Sequence, residues 1–116
     1  GKAGAEEIQK MMADFRANPP RDLGGSKVVL WKDYKTLEAT DDKGNKAKLD
    51  MPETSNVLQW FCNDDTKVSV RPSGTEPKIK FYIEVKGVMK DASEYEALEK
   101  KGVEKIEAIK KSLRLS

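Results

Sequence analysis

A chain of 116 residues with 22 basic and 20 acidic side chains carries a net charge of only +2. Such a balance gives no broad field for nucleic acid or an anionic membrane, so any anion site must be local. Histidine is absent and there is one cysteine, Cys62, which removes the commonest general base and zinc ligand and excludes an internal disulfide. The length suits a single domain spanning 1–116. The lone cysteine fits a reduced, cytoplasmic setting. No apolar run approaches the ~20 residues of a membrane span, and the opening GKAGAEEIQK predicts no signal peptide.

Residues 5–17 predict a helix, because Ile8, Met11, Met12 and Phe15 fall on one face. Pro19 and Pro20 stop it, and Leu23-Gly24-Gly25 predicts a turn. Residues 27–40 are β-branched and aromatic at first and predict a strand or strand pair. Asp42-Lys43-Gly44-Asn45 is a turn signal leading into a hairpin with KAKLDMP. Residues 56–63 are expected to form a short helix capped by Ser55, with Val57, Leu58 and Phe61 inward and Cys62 packed on it. Residues 66–71 and 79–86 alternate as strands. In the second, Ile79, Phe81, Ile83 and Val85 face the core and Lys80, Tyr82, Glu84 and Lys86 face away. Residues 93–114 predict a long amphipathic helix with a stripe of Tyr95, Leu98, Val103, Ile106, Ile109 and Leu113, opened by a Ser93–Glu96 capping box. Together these elements imply an α+β fold: an antiparallel sheet of about four strands with helices on one face.

The chemistry concentrates in Arg71-Pro72-Ser73-Gly74-Thr75-Glu76-Pro77-Lys78-Ile79-Lys80, between the last two strands. Arg71 offers a planar fork of donors suited to phosphate oxygens. Ser73 and Thr75 add hydroxyl donors, and Gly74 lets the backbone approach an anion or take a positive φ. Strand parity puts Arg71, Lys78 and Lys80 on the outward face. Glu76 would repel phosphate, so it is expected to orient Arg71 or a lysine, or to accept a sugar hydroxyl. On composition alone, a plain hairpin turn rich in Pro, Ser and Gly explains the segment equally well.

The string Arg71 to Pro77 resembles the phosphate-binding loop of the α-D-phosphohexomutases. The likeness extends to the Val28–Tyr34 strand, to Ser55-Asn56-Val57-Leu58 and to the final helix. It implies the fourth, C-terminal domain of a larger enzyme, with a fold like the TATA-binding protein. In that family a phosphoserine in the first domain exchanges phosphate with a hexose phosphate, magnesium is held in the second, and a loop of the third reads the sugar. Those motifs are missing here, so this domain is expected to hold no catalytic residue, metal or cofactor. Its partners would be the substrate and the enzyme's other domains. By the resemblance, Arg71, Ser73, Gly74, Thr75 and Lys80 would hold the phosphate that is not reacting. The competing class is a nucleic-acid-binding module on the same fold; only Tyr82 is expected as an aromatic on the open face. A domain kept only to pack against partners is the other. Asp41-Asp42 and Asp64-Asp65 read as solvated turn residues, Trp31 and Trp60 as core or interface residues, and Lys100, Lys101, Lys110 and Lys111 as a solvated helix face.

Overall fold

The computed structural model describes residues 2–85 and 104–113. The chain opens with α1 (Lys2–Ala17), continues through β1 (Asp22–Leu23), β2 (Ser26–Asp33), β3 (Glu38–Asp41), β4 (Lys46–Lys48), β5 (Leu58–Cys62), β6 (Lys67–Pro72) and β7 (Ile79–Glu84), and returns as a helix over 104–112, α2. The sheet runs β4-β3-β2-β5-β6-β7, with β1 pairing onto the start of β2, and every pairing is antiparallel. The architecture is thus α+β, as the sequence implies. The sheet has seven strands rather than about four, because the run 27–40 is a strand pair, the 56–63 segment is itself a strand, and Asp22–Leu23 adds β1 ahead of the Gly24-Gly25 turn.

That segment is the main departure from expectation. Leu58, Trp60 and Cys62 are buried while Gln59 and Phe61 are only partly so, a period of two rather than 3.6. A short apolar run fits either period, and placement decides. β5 lies between β2 and β6 and is paired on both edges, which satisfies its backbone where a short helix would leave orphan groups at both ends. Ser55 caps no helix; its N–H bonds the Tyr34 carbonyl, 3.1 Å away. The change of period also turns Phe61 from the expected core to the opposite face.

One face of the sheet carries the core. Met12 of α1 and Ile109 of α2 meet Leu23, Val28, Leu58, Trp60, Cys62, Val68 and Val70, so both helices cover the same face. Phe15 packs edge-on against Trp60 (5.1 Å between centroids) and Phe81 (6.1 Å), which favours this helix orientation beyond simple area burial. Trp31, Ile79, Phe81, Ile83, Val85 and Leu113 close the core edges. Tyr95, Leu98, Val103, Lys86, Lys100, Lys101 and the Ser93–Glu96 capping box fall outside the described residues.

α2 is pinned where β1 turns into β2. Gly24 adopts φ +60°, and a Cβ there would stand 3.0 Å from both Ile109 Cγ1 and the Ile109 backbone nitrogen. Its N–H donates to Ser112 Oγ at 2.9 Å, while Lys105 Nζ donates to the Gly24 carbonyl at 2.8 Å. Lys105 also reaches Ser26 Oγ, and Ser26 donates to Asp64 Oδ2 at 2.5 Å. Asp64 is an exposed turn residue as expected, but its carboxylate is also engaged by Ser26, Thr66 and Lys105. Partial burial would raise its carboxyl, but hydrogen bonds from Ser26 and Thr66 and the Lys105 charge outweigh this and lower it to about 2. Asp41 is nearer to expectation: its side chain accepts from Asn45 and the Lys43 N–H, closing the β3–β4 hairpin. Among the described residues, no helix is long and apolar enough to cross a membrane.

Candidate functional site

β6 and β7 stay paired up to Pro72↔Ile79, so the loop between them begins on a fixed base. Residues 73–78 are then closed by their own backbone and one hydroxyl. Ser73 N–H donates to the Lys78 carbonyl and Lys78 N–H to the Glu76 carbonyl, both at 2.8 Å. Ser73 Oγ accepts from the N–H of Glu76 at 3.2 Å and, more weakly, from that of Thr75 at 3.4 Å. The hydroxyl proton of Ser73 remains to be donated elsewhere.

Gly74 departs from one expectation. Its φ lies outside the positive region that L side chains avoid, and a Cβ built on it meets nothing within 4 Å. The turn therefore does not require glycine for its backbone shape. What the missing side chain leaves is open space above the loop. Gly4 is the opposite case: a Cβ there would stand 2.9 Å from Pro77 Cβ. The first turn of α1 thus rests directly on the loop.

Arg71 and Lys80 face each other across the strands, and Arg71 is exposed. Like charges placed directly opposite destabilise a sheet by roughly 0.2–1 kcal/mol. Lys78 is drawn aside by Glu76, whose Oε2 lies 3.3 Å from Nζ, both side chains being more than half exposed. The guanidinium of Arg71 instead meets Tyr82: Nη2 donates to Oη at 3.4 Å, and Cζ stands 5.6 Å from the ring centroid. The structure thus gathers Arg71, Lys80, Ser73, Gly74, Thr75 and Glu76 at one end of one hairpin.

The rest of the open face is more aromatic than expected. Tyr34 donates to Gln59 Oε1 (2.7 Å), and Gln59 Nε2 donates to Ser69 Oγ (3.1 Å), so Tyr34 shares the face with Phe61 and Tyr82. Lys32 and Lys67 lie over Phe61, with Nζ at 4.9 and 5.8 Å from its centroid. A cleft of about 150 Å³ lies on the other side, bordered by Phe15, Trp31, Thr40 and the Arg16–Asp33 ion pair; no loop residue lines it. Among the described residues, no three His, Cys, Asp or Glu side chains converge as metal ligands would.

Residues 32–101 match the family described as phosphoglucomutase/phosphomannomutase, C-terminal domain. The chain is 41% identical over 87 residues to a phosphoglucomutase of Staphylococcus aureus strain MRSA252, covering 74% of this chain and 15% of that protein. The phosphoglucomutases of strains MSSA476 and N315 are 40% and 39% identical over the same length, with the same coverage. The chain thus spans about 15% of the length of the curated relatives it matches. No solved structure matches it.

Proposed function

Because the chain belongs to the phosphoglucomutase/phosphomannomutase C-terminal-domain family, we propose that residues 71–80 hold a phosphoryl group of a hexose phosphate within a larger phosphohexomutase. The observation that carries this is the like-charged pair Arg71 and Lys80, set opposite one another beside a pre-closed Ser-Gly-Thr turn with open space over Gly74. A fold gains nothing by opposing two cations. An anion between them converts the repulsion into two attractions, and charge-assisted bonds from Arg71 fit phosphate geometry. Closure of the loop before binding reduces the ordering cost of capture.

The role is positioning and binding energy rather than proton transfer. In the enzyme we envisage, hexose 1-phosphate and hexose 6-phosphate interconvert by phosphotransfer through a serine outside this chain, with magnesium also held elsewhere. The loop grips the phosphate that is not reacting. Residues 1–116 act as one C-terminal domain of that cytoplasmic enzyme and have no mutase activity alone. The kinship with the TATA-binding protein fold goes with this proposal and adds nothing to the chemistry of the loop.

The test is a titration of the 116-residue chain with inorganic phosphate, followed by amide NMR. Millimolar-range shifts confined to residues 71–76, with affinity weakened but still measurable in Arg71→Ala, are the expected result; no movement there at high phosphate refutes the proposal. One observation favours a second use. Tyr34, Phe61 and Tyr82 with four cations resemble a platform for single-stranded nucleic acid. Lys32 and Lys67 already cover Phe61, however, and the net charge is small. Tight oligonucleotide binding with a steep salt slope would decide for this alternative.

A further inference from the structure

Arg71 is a long side chain on an open face, opposite another cation. Left to itself, its guanidinium would swing away from Lys80 into solvent. Tyr82 prevents this in two ways at once. Its phenol oxygen accepts from Arg71 Nη2 at 3.4 Å, and its ring lies under the guanidinium, 5.6 Å from Cζ to the centroid. Tyr82 is opposite Ser69 and Arg71 is opposite Lys80, so the two are diagonal neighbours on one face, a spacing that aromatic and long side chains can span.

The surroundings leave Tyr82 free for this task. Ser69 Oγ accepts from Gln59, whose Oε1 accepts from Tyr34, and neither bond involves Tyr82. Tyr82 is 47% exposed and is no part of the core. Nη2 of Arg71 donates to Tyr82, and a guanidinium carries five N–H donors in all.

The geometry points to Tyr82 as a positioning residue that aims the Arg71 fork at the mouth of the loop. This inference rests on the phosphate-binding role proposed for the loop. It makes Tyr82 act through Arg71 and not through direct contact with phosphate.

The test is a double-mutant cycle in the full 116-residue chain. Inorganic phosphate is titrated by NMR into the parent, Tyr82→Phe, Tyr82→Leu, Arg71→Ala and Arg71→Ala combined with each Tyr82 change, with urea unfolding as a check of fold. Tyr82→Leu should weaken binding about five- to tenfold and Tyr82→Phe about two- to threefold, and both losses should vanish once Arg71 is alanine. A merely structural tyrosine would show the same loss in both backgrounds, which would overturn the positioning role while leaving the phosphate site standing. If Arg71→Ala binds phosphate as well as the parent, the phosphate site itself is wrong and the inference falls with it. Should Tyr82→Leu fail to fold, Tyr82→Phe in the two backgrounds completes the cycle.

Discussion

Gly74→Ala separates a turn that merely needs glycine from a turn that leaves room for a ligand. Gly74 has no positive φ, and a Cβ on it touches nothing within 4 Å. An alanine therefore costs the folded state nothing. It restricts the unfolded chain, so the variant should be as stable as the parent or more stable by about 0.4–1 kcal/mol. Binding should move the other way. A methyl group in the space over the loop displaces an anion from its donors. Losing one charge-assisted hydrogen bond costs about 1.5–3 kcal/mol, or about 10- to 100-fold in affinity. Urea unfolding and a phosphate titration on the same two samples read both signs. Destabilisation beyond about 1 kcal/mol would refute the claim that the fold does not need this glycine. Unchanged phosphate affinity in a stable variant would refute the claim that the anion sits above it.

Gly24→Ala should behave in the opposite sense: φ +60° and a Cβ 3.0 Å from Ile109 combine backbone strain with overpacking, costing about 2–4 kcal/mol in urea unfolding. A loss under about 1 kcal/mol would mean that α2 shifts freely. Asp64, with its carboxyl lowered to about 2 from 3.8, contributes stability that is present above about pH 4 and is lost as pH falls toward 2. The side chain is 44% exposed, so solvent screening limits the contribution to about 1 kcal/mol. Asp64→Asn should flatten the pH dependence of stability in that window, and an unaltered acid limb would count against the Ser26–Asp64–Lys105 cluster. Cys62 is buried, which with the nearby Asp64 charge pushes its thiol up to about 11. It should resist a disulfide reagent at pH 8 until the chain unfolds, and rapid labelling of the native protein would contradict its burial.

The elements with a long, unmistakable period were legible in the sequence: α1 from its i, i+3, i+4 face, and β6 and β7 from strict alternation. The loop was legible because its residue types sit between two such strands. β5 was not. Val57, Leu58 and Phe61 satisfy helical spacing as well as Leu58, Trp60 and Cys62 satisfy a strand, and only pairing on both edges by β2 and β6 decides. That ambiguity hid Phe61, and with it part of the aromatic content of the open face. Asp64 and Lys105, 41 positions apart, were read as a turn residue and part of a charged helix. Nothing local signals their meeting at Ser26, since the contact exists only once α2 has docked.

The same dependence on docking explains how a short loop can hold a defined shape. A turn with only its own hydrogen bonds would sample many conformations, and each would have to be given up on binding. This one is fixed from three sides. Strand pairing sets its base at Pro72↔Ile79, Ser73 closes its interior, and the first turn of α1 meets Pro77 because Gly4 carries no side chain. Met12 and Phe15 anchor the rest of α1 to the sheet through Trp60 and Phe81. The helix therefore transmits the rigidity of the core to the loop. The chemistry at Arg71 is local, but the precision with which it is presented comes from contacts as distant in sequence as Gly4 and Trp60.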